Sequence, residues 1–132
     1  MNPHPRTILI ALLLAAPLLA SADSPDTKPI DGKTYTGTIT KSGENQGDPD
    51  DFVFKEGTFI STACASFGFK PANYSTKADG KRLLFDAVNE TDNGVHMHWK
   101  GVIQGDHLEA TADWLRQDQP VVQFRAQASL KH

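Results

Sequence analysis

The chain has 132 residues, 39% of them hydrophobic and 22% charged, with a formal net charge of −3 and a single cysteine. That length sets one domain as the ceiling, and one cysteine excludes both a disulfide-stapled miniprotein and a cysteine-rich zinc site. The mildly acidic balance argues against nucleic acid and anionic membrane as partners, because both reward a basic surface.

The N-terminus reads as a targeting segment. Met1–Arg6 is a short polar start, Thr7–Leu19 is apolar after Thr7, and Ala20-Ser21-Ala22 supplies a small-x-small pattern. The three parts together predict a secretory signal peptide over residues 1–22, cleaved after Ala22, and so a periplasmic or secreted protein. The apolar stretch is short for a membrane span and Pro17 interrupts its helix, so no stable membrane insertion is expected once the signal is removed. Residues 23–30, with Pro25 and Pro29, read as a flexible leader, and 31–132 as one domain.

From Thr34 onward the dominant period is two, the mark of half-buried strands. Eight are predicted, over 34–41, 51–55, 58–64, 72–78, 81–88, 94–104, 107–115 and 121–130. A two-residue turn at Gly105-Asp106 pairs Ile103 with Leu108, Gly101 with Ala110, Trp99 with Ala112 and Met97 with Trp114, all apolar. The other face pairs Val102 with Glu109, Lys100 with Thr111 and His98 with Asp113, so one register sorts both strands. Glu56-Gly57 sets Phe54 opposite Phe59, and Asp79-Gly80 sets Tyr74 opposite Phe85 and Thr76 opposite Leu83. The fold class is therefore all-β: an eight-stranded antiparallel up-and-down β-barrel, with a β-sandwich as the alternative.

Three connections are tight turns, while those over 42–50, 65–71, 89–93 and 116–120 are longer. An up-and-down barrel gathers the two sets at opposite ends, and loops clustered on a rigid scaffold favour binding. The inward residues assigned to the longer-looped end include Ile39, Phe52, Tyr74, Met97, Trp114 and Val122, and the 65–71 loop adds Phe67 and Phe69. The phenylalanines either plug the barrel end or line an apolar entrance. Eight strands enclose an interior that side chains just fill or that holds one small ligand.

Two strings carry a resemblance: Phe52-x-Phe54-x-x-Gly57-x-Phe59-x-Ser61-x-x-Cys64-x-x-x-Gly68-Phe69, and Trp99-x-Gly101-x-x-x-Gly105-Asp106-x-Leu108-Glu109-Ala110-x-x-x-Trp114. The chain from about Asp51 onward resembles small secreted or periplasmic bacterial β-rich proteins. The resemblance implies location and fold and transfers no catalytic residue. The barrel type is similar to the avidin and lipocalin architectures at the level of fold, which confers neither biotin nor lipid binding.

The expected function is non-enzymatic binding of a small apolar ligand at the longer-looped end, with Tyr35, Phe52, Cys64, Phe67, Phe69, Tyr74, Met97, Trp99 and Trp114 as candidate residues. The alternative is a structural or protein-interaction module that uses the outward Val53, Ile60, Leu84, Val88 and Val102, as a monomer or weak homodimer. A third reading is a metal site: His96 and His98 share a strand face, with Asp113 opposite His98. Asp48, Asp50 and Asp51 read as a solvated acidic loop, without the full EF-hand pattern. No cofactor is expected. An enzyme would need Tyr35, Ser61, Tyr74 and Thr76 to converge on an acid or base, and no familiar nucleophile or phosphate-loop motif occurs.

Overall fold

The computed structural model describes residues 29–132. The expected signal peptide, its cleavage point and most of the leader lie outside the described residues. Eight strands and one helical turn follow in chain order: β1 (Thr34–Lys41), β2 (Asp48–Lys55), β3 (Thr58–Ser61), α1 (Thr62–Ala65), β4 (Ala72–Asp79), β5 (Arg82–Glu90), β6 (His96–Gln104), β7 (His107–Leu115) and β8 (Val122–Leu130). Each strand pairs antiparallel with the next, and β8 returns to β1, closing the barrel. The closure matches Tyr35 with Leu130 through Lys41 with Phe124, and the Lys131 N–H donates to the Thr34 carbonyl at 2.8 Å.

The β6–β7 register is the predicted one throughout, from Gln104–His107 to Met97–Trp114, and Phe54 faces Phe59. Two other predictions are corrected. The β4–β5 turn consists of Gly80 and Lys81 rather than Asp79 and Gly80, so Tyr74 faces Ala87 and Thr76 faces Phe85. Glycine takes the first central position, where φ is +59°, and Asp79 and Arg82 close the turn as an ion pair. The shift is two residues, which leaves the inward and outward faces unchanged. Likewise β2 begins at Asp48 rather than Asp51. Because β3 ends at Ser61, opposite Phe52, the early part of β2 has an open side, where Pro49 is tolerated.

The interior is built from large side chains on one wall and small ones on the other. Tyr35, Phe52, Phe54, Phe59 and Trp99 are each no more than 1% exposed. Phe54 touches Phe59, Tyr74 and Phe85 with ring centroids 5.0, 5.0 and 5.2 Å apart, and Phe59 continues the contact to Trp99 at 5.2 Å. Most of these pairs are edge-on, the arrangement that ring quadrupoles favour. Opposite them stand the buried Ala110, Ala112, Ala126 and Ala128. Gly101 belongs to this small set for a steric reason: a Cβ there would lie 2.0 Å from the Phe85 ring.

The short-turn end is closed by the segment before β1. Ile30, expected at the end of the leader, is 3% exposed and belongs to the core. Gly32 N–H donates to the Phe54 carbonyl at 2.7 Å and Phe54 N–H to the Lys33 carbonyl at 3.0 Å.

Candidate functional site

The structure separates the nine candidate ligand residues into three groups. Tyr35 and Tyr74 stand at the short-turn end. The Tyr74 hydroxyl donates to Asp31 Oδ1 at 2.9 Å, and the same oxygen accepts the Gly57 N–H at 2.9 Å. Tyr74 was expected near the longer loops; the strands tilt as the barrel closes, and this stagger lets β4 meet the β2–β3 turn at Tyr74. Burial and the Asp31 carboxylate raise its hydroxyl pKa above the ordinary tyrosine value. Burial, with Asp106 second, does the same at Tyr35.

Phe52, Trp99, Met97, Phe69 and Cys64 are buried. Phe52 and Trp99 are 5.8 Å apart as an edge-on pair within the ring cluster. Phe69 is tucked beneath the 66–71 connection, whereas Phe67 on the same connection is 79% exposed. The two phenylalanines therefore do not act as a pair: one packs inward and the other faces outward. Cys64 lies in α1 with its thiol pushed up to about 11, chiefly by burial.

The longer-looped end is held in shape by buried polar groups. Asp50 is buried on β2 rather than solvated in a loop. It accepts hydrogen bonds from the Ser61 hydroxyl, from Thr62 Oγ1 at 3.0 Å and from the Ala63 N–H at 2.9 Å. Ser61 caps α1 by accepting the Cys64 N–H at 3.2 Å, as serine commonly does at a helix start. Asn89 is wholly buried. Its Nδ2 donates to the carbonyls of Phe59 and Lys70, both at 2.9 Å, tying β5 to β3 and to the 66–71 connection. Ser61 and Tyr74 therefore serve Asp50 and Asp31 at separate places. The serine before Thr62 was a readable capping signal; the partners of Asp50 and Asn89 had none.

Trp114, with the exposed Phe67, stands at the mouth. It is half-buried on β7 facing Met97 and Val122 across the ladders, with Phe124 6.4 Å away. The Arg116 guanidinium lies over the Trp114 ring, 4.0 Å from its centroid, a cation–π stack that the sequence reading missed. Trp114 Nε1 and Arg116 Nε are both buried with no hydrogen-bond partner among the described residues. Around them, the connections and strand ends expose Phe67, Leu115 (37%) and Val121 (57%).

The metal candidates are not brought together. His98 Nε2 lies 3.1 and 3.3 Å from the two Asp86 carboxylate oxygens, and His96 Nε2 lies 3.1 Å from Glu90. Both rings lean toward β5, away from Asp113, which accepts from Gln123 Nε2 at 3.0 Å. Among the described residues no group of three histidine, cysteine, aspartate or glutamate side chains is placed to hold a metal ion.

On the outer surface, Val53, Ile60, Leu84 and Val102 are half-buried and Val88 is 39% exposed. Leu84 and Val102 floor an open groove of about 370 Å³, flanked by Ser75, Lys77, Asp86 and Lys100. Comparisons of the chain with protein families, with curated proteins and with solved structures find no match.

Proposed function

We propose that this protein is a non-enzymatic binder of small amphipathic molecules, taking an apolar body over the mouth at the longer-looped end and an acceptor group, such as a carboxylate, at Trp114 and Arg116. One observation carries the reading. Two N–H donors, Trp114 Nε1 and Arg116 Nε, are buried side by side without partners at an end where Phe67, Leu115 and Val121 are exposed. A buried donor without a partner costs stability, and an acceptor bound there removes that cost. The buried ring cluster occupies the deeper barrel, which favours a ligand resting on the mouth. The site is at the longer-looped end, as expected from the sequence, but is shallower, because it leaves out the deeper candidates such as Phe52 and Trp99. Export through a cleaved signal peptide, expected from residues 1–22, would put such a binder in the periplasm or outside the cell.

Tryptophan fluorescence tests it, with decanoate and decanol as paired probes. Decanoate changes the emission saturably, Arg116→Ala weakens decanoate more than decanol, and Trp114→Ala weakens both. A flat response to both probes sinks the proposal.

A second reading, an interaction module using the outer face, is favoured by the groove over Leu84 and Val102. It predicts that Leu84→Ser and Val102→Ser leave decanoate binding unchanged.

A further inference from the structure

The strands of this barrel do not overlap evenly. β3 meets β4 at two positions, Thr58–Asn73 and Phe59–Ala72, and the Tyr74 N–H donates to the Gly57 carbonyl at 3.4 Å. Beyond that point β4 runs on to Asp79 with β5 on one side only. In an antiparallel strand the N–H and C=O of a residue point to one side, and the side alternates along the chain. Tyr74 points away from β5, so Thr76 and Ala78 do as well. Among the described residues nothing pairs with their backbones on that side. Ser75, Lys77, Ala78 and Asp79 are all exposed.

An open edge is a template for another strand, and proteins commonly block it with charge. Here the charges are Lys77 and Asp79, two residues apart and so on the same outward face. We propose that a second copy of this chain pairs with this edge, β4 against β4, antiparallel about a two-fold axis through Ala78.

The alternatives can be enumerated, because directly opposed residues must share a bonding side and the axis therefore passes through a residue. An axis through Lys77 sets lysine against lysine, and one through Asp79 sets aspartate against aspartate; like charges directly opposed are destabilising. An axis through Thr76 sets Ala78 against the partner's Tyr74, whose N–H already serves Gly57. The axis through Ala78 sets Lys77 opposite the partner's Asp79, twice by symmetry, and lets the two Ala78 backbones exchange N–H···O=C bonds. Asp79 already pairs with Arg82 in its own chain, so the charges alternate in sign across the seam from Lys77 to the partner's Asp79 and on to the partner's Arg82. Such a contact is isologous and small, so the dimer is weak and concentration-dependent.

Sedimentation of the purified protein over a micromolar to millimolar series tests the proposal. The wild type shifts toward twice the monomer mass. Ala78→Pro removes an N–H that faces the seam and not β5, so the melting temperature holds while dimerisation weakens at least about tenfold. Lys77→Asp and Asp79→Lys are each monomeric alone, and mixing the two restores the dimer because each mismatched charge then meets its opposite. A wild type that stays monomeric at the highest concentration overturns the proposal. So does a dimer that persists unchanged in Ala78→Pro or in Lys77→Asp, the latter an exposed change that leaves the fold intact.

Discussion

Replacing Asn89 with leucine tests how the barrel is held where β3 and β4 barely overlap. The side chain is wholly buried, and its Nδ2 serves the Phe59 and Lys70 carbonyls at 2.9 Å each. Leucine has the same branching and number of heavy atoms but no donor, so both carbonyls lose the Asn89 hydrogen bond. Each stranded carbonyl costs about 1–3 kcal/mol. Against this, Asn89 Oδ1 is itself buried without a partner, and removing it returns about 1–2 kcal/mol. The net expectation is a loss of about 1–4 kcal/mol, equivalent to a fall in melting temperature of about 5–20 °C for a domain of this size. Urea unfolding followed by the emission of Trp99 and Trp114 measures it directly. A leucine variant within about 0.5 kcal/mol of the wild type would refute the reasoning, because the two carbonyls would then have found other donors. Asn89→Asp, which keeps the shape, loses the donor and adds a buried charge, is expected to be at least as damaging.

Gly101→Val drives a side chain into the Phe85 ring, whose nearest atom would lie 2.0 Å from the new Cβ. The expected loss is about 1–3 kcal/mol, and Phe85→Leu in the same chain recovers part of it, a coupling that a double-mutant cycle reads. The Cys64 thiol, pushed up to about 11 by burial, stays protonated at pH 8, so iodoacetamide labels the folded protein slowly and the unfolded protein fast. Fast labelling of the folded form at pH 8 would contradict that burial. Because this pKa is raised on folding from 9.0, its contribution to stability is complete below about pH 9 and is lost as pH rises through about 11. Cys64→Ser removes the thiol's part of the alkaline decline and leaves the part due to the raised Tyr35 and Tyr74 hydroxyls, as denaturation across the range would show.

The parts of the fold written in local pattern were legible in the chain. Alternation in Met97–Gln104 and His107–Trp114, joined by one glycine-first turn, leaves a single register that turns every apolar residue but Val102 inward, and the barrel has that register. The β4–β5 turn slipped by two because Ala78-Asp79-Gly80-Lys81 offers two places for glycine, and parity cannot separate registers that differ by two. What pattern cannot carry is stagger between strands and the matching of distant polar atoms. Tyr74 reached the opposite end from that expected because its height depends on where β3 stops. Asp50 looked like part of a wet acidic loop, yet its hydrogen-bond partners are residues 61–63, which the chain brings to it only after a hairpin. Arg116 lies two residues beyond Trp114 on a connection, where no period predicts a stack. The histidines were placed on the correct face, but the ladder supplied them with Asp86 and Glu90 on β5 and so turned them away from Asp113.

The seam between β1 and β8 has a consequence for how the gene could be written. Thr34 and Lys131 are joined by a backbone hydrogen bond of 2.8 Å, so the two ends of the domain lie side by side on the short-turn rim. Seen as a ring, the eight strands have no first member. A short linker from His132 back to Pro29, with new ends cut in the 42–47 or 116–121 connection, would preserve every strand neighbour. Circular permutation is tolerated where the termini are close and the cut falls in an exposed loop. The point at which the chain begins is then a property of the reading frame rather than of the barrel.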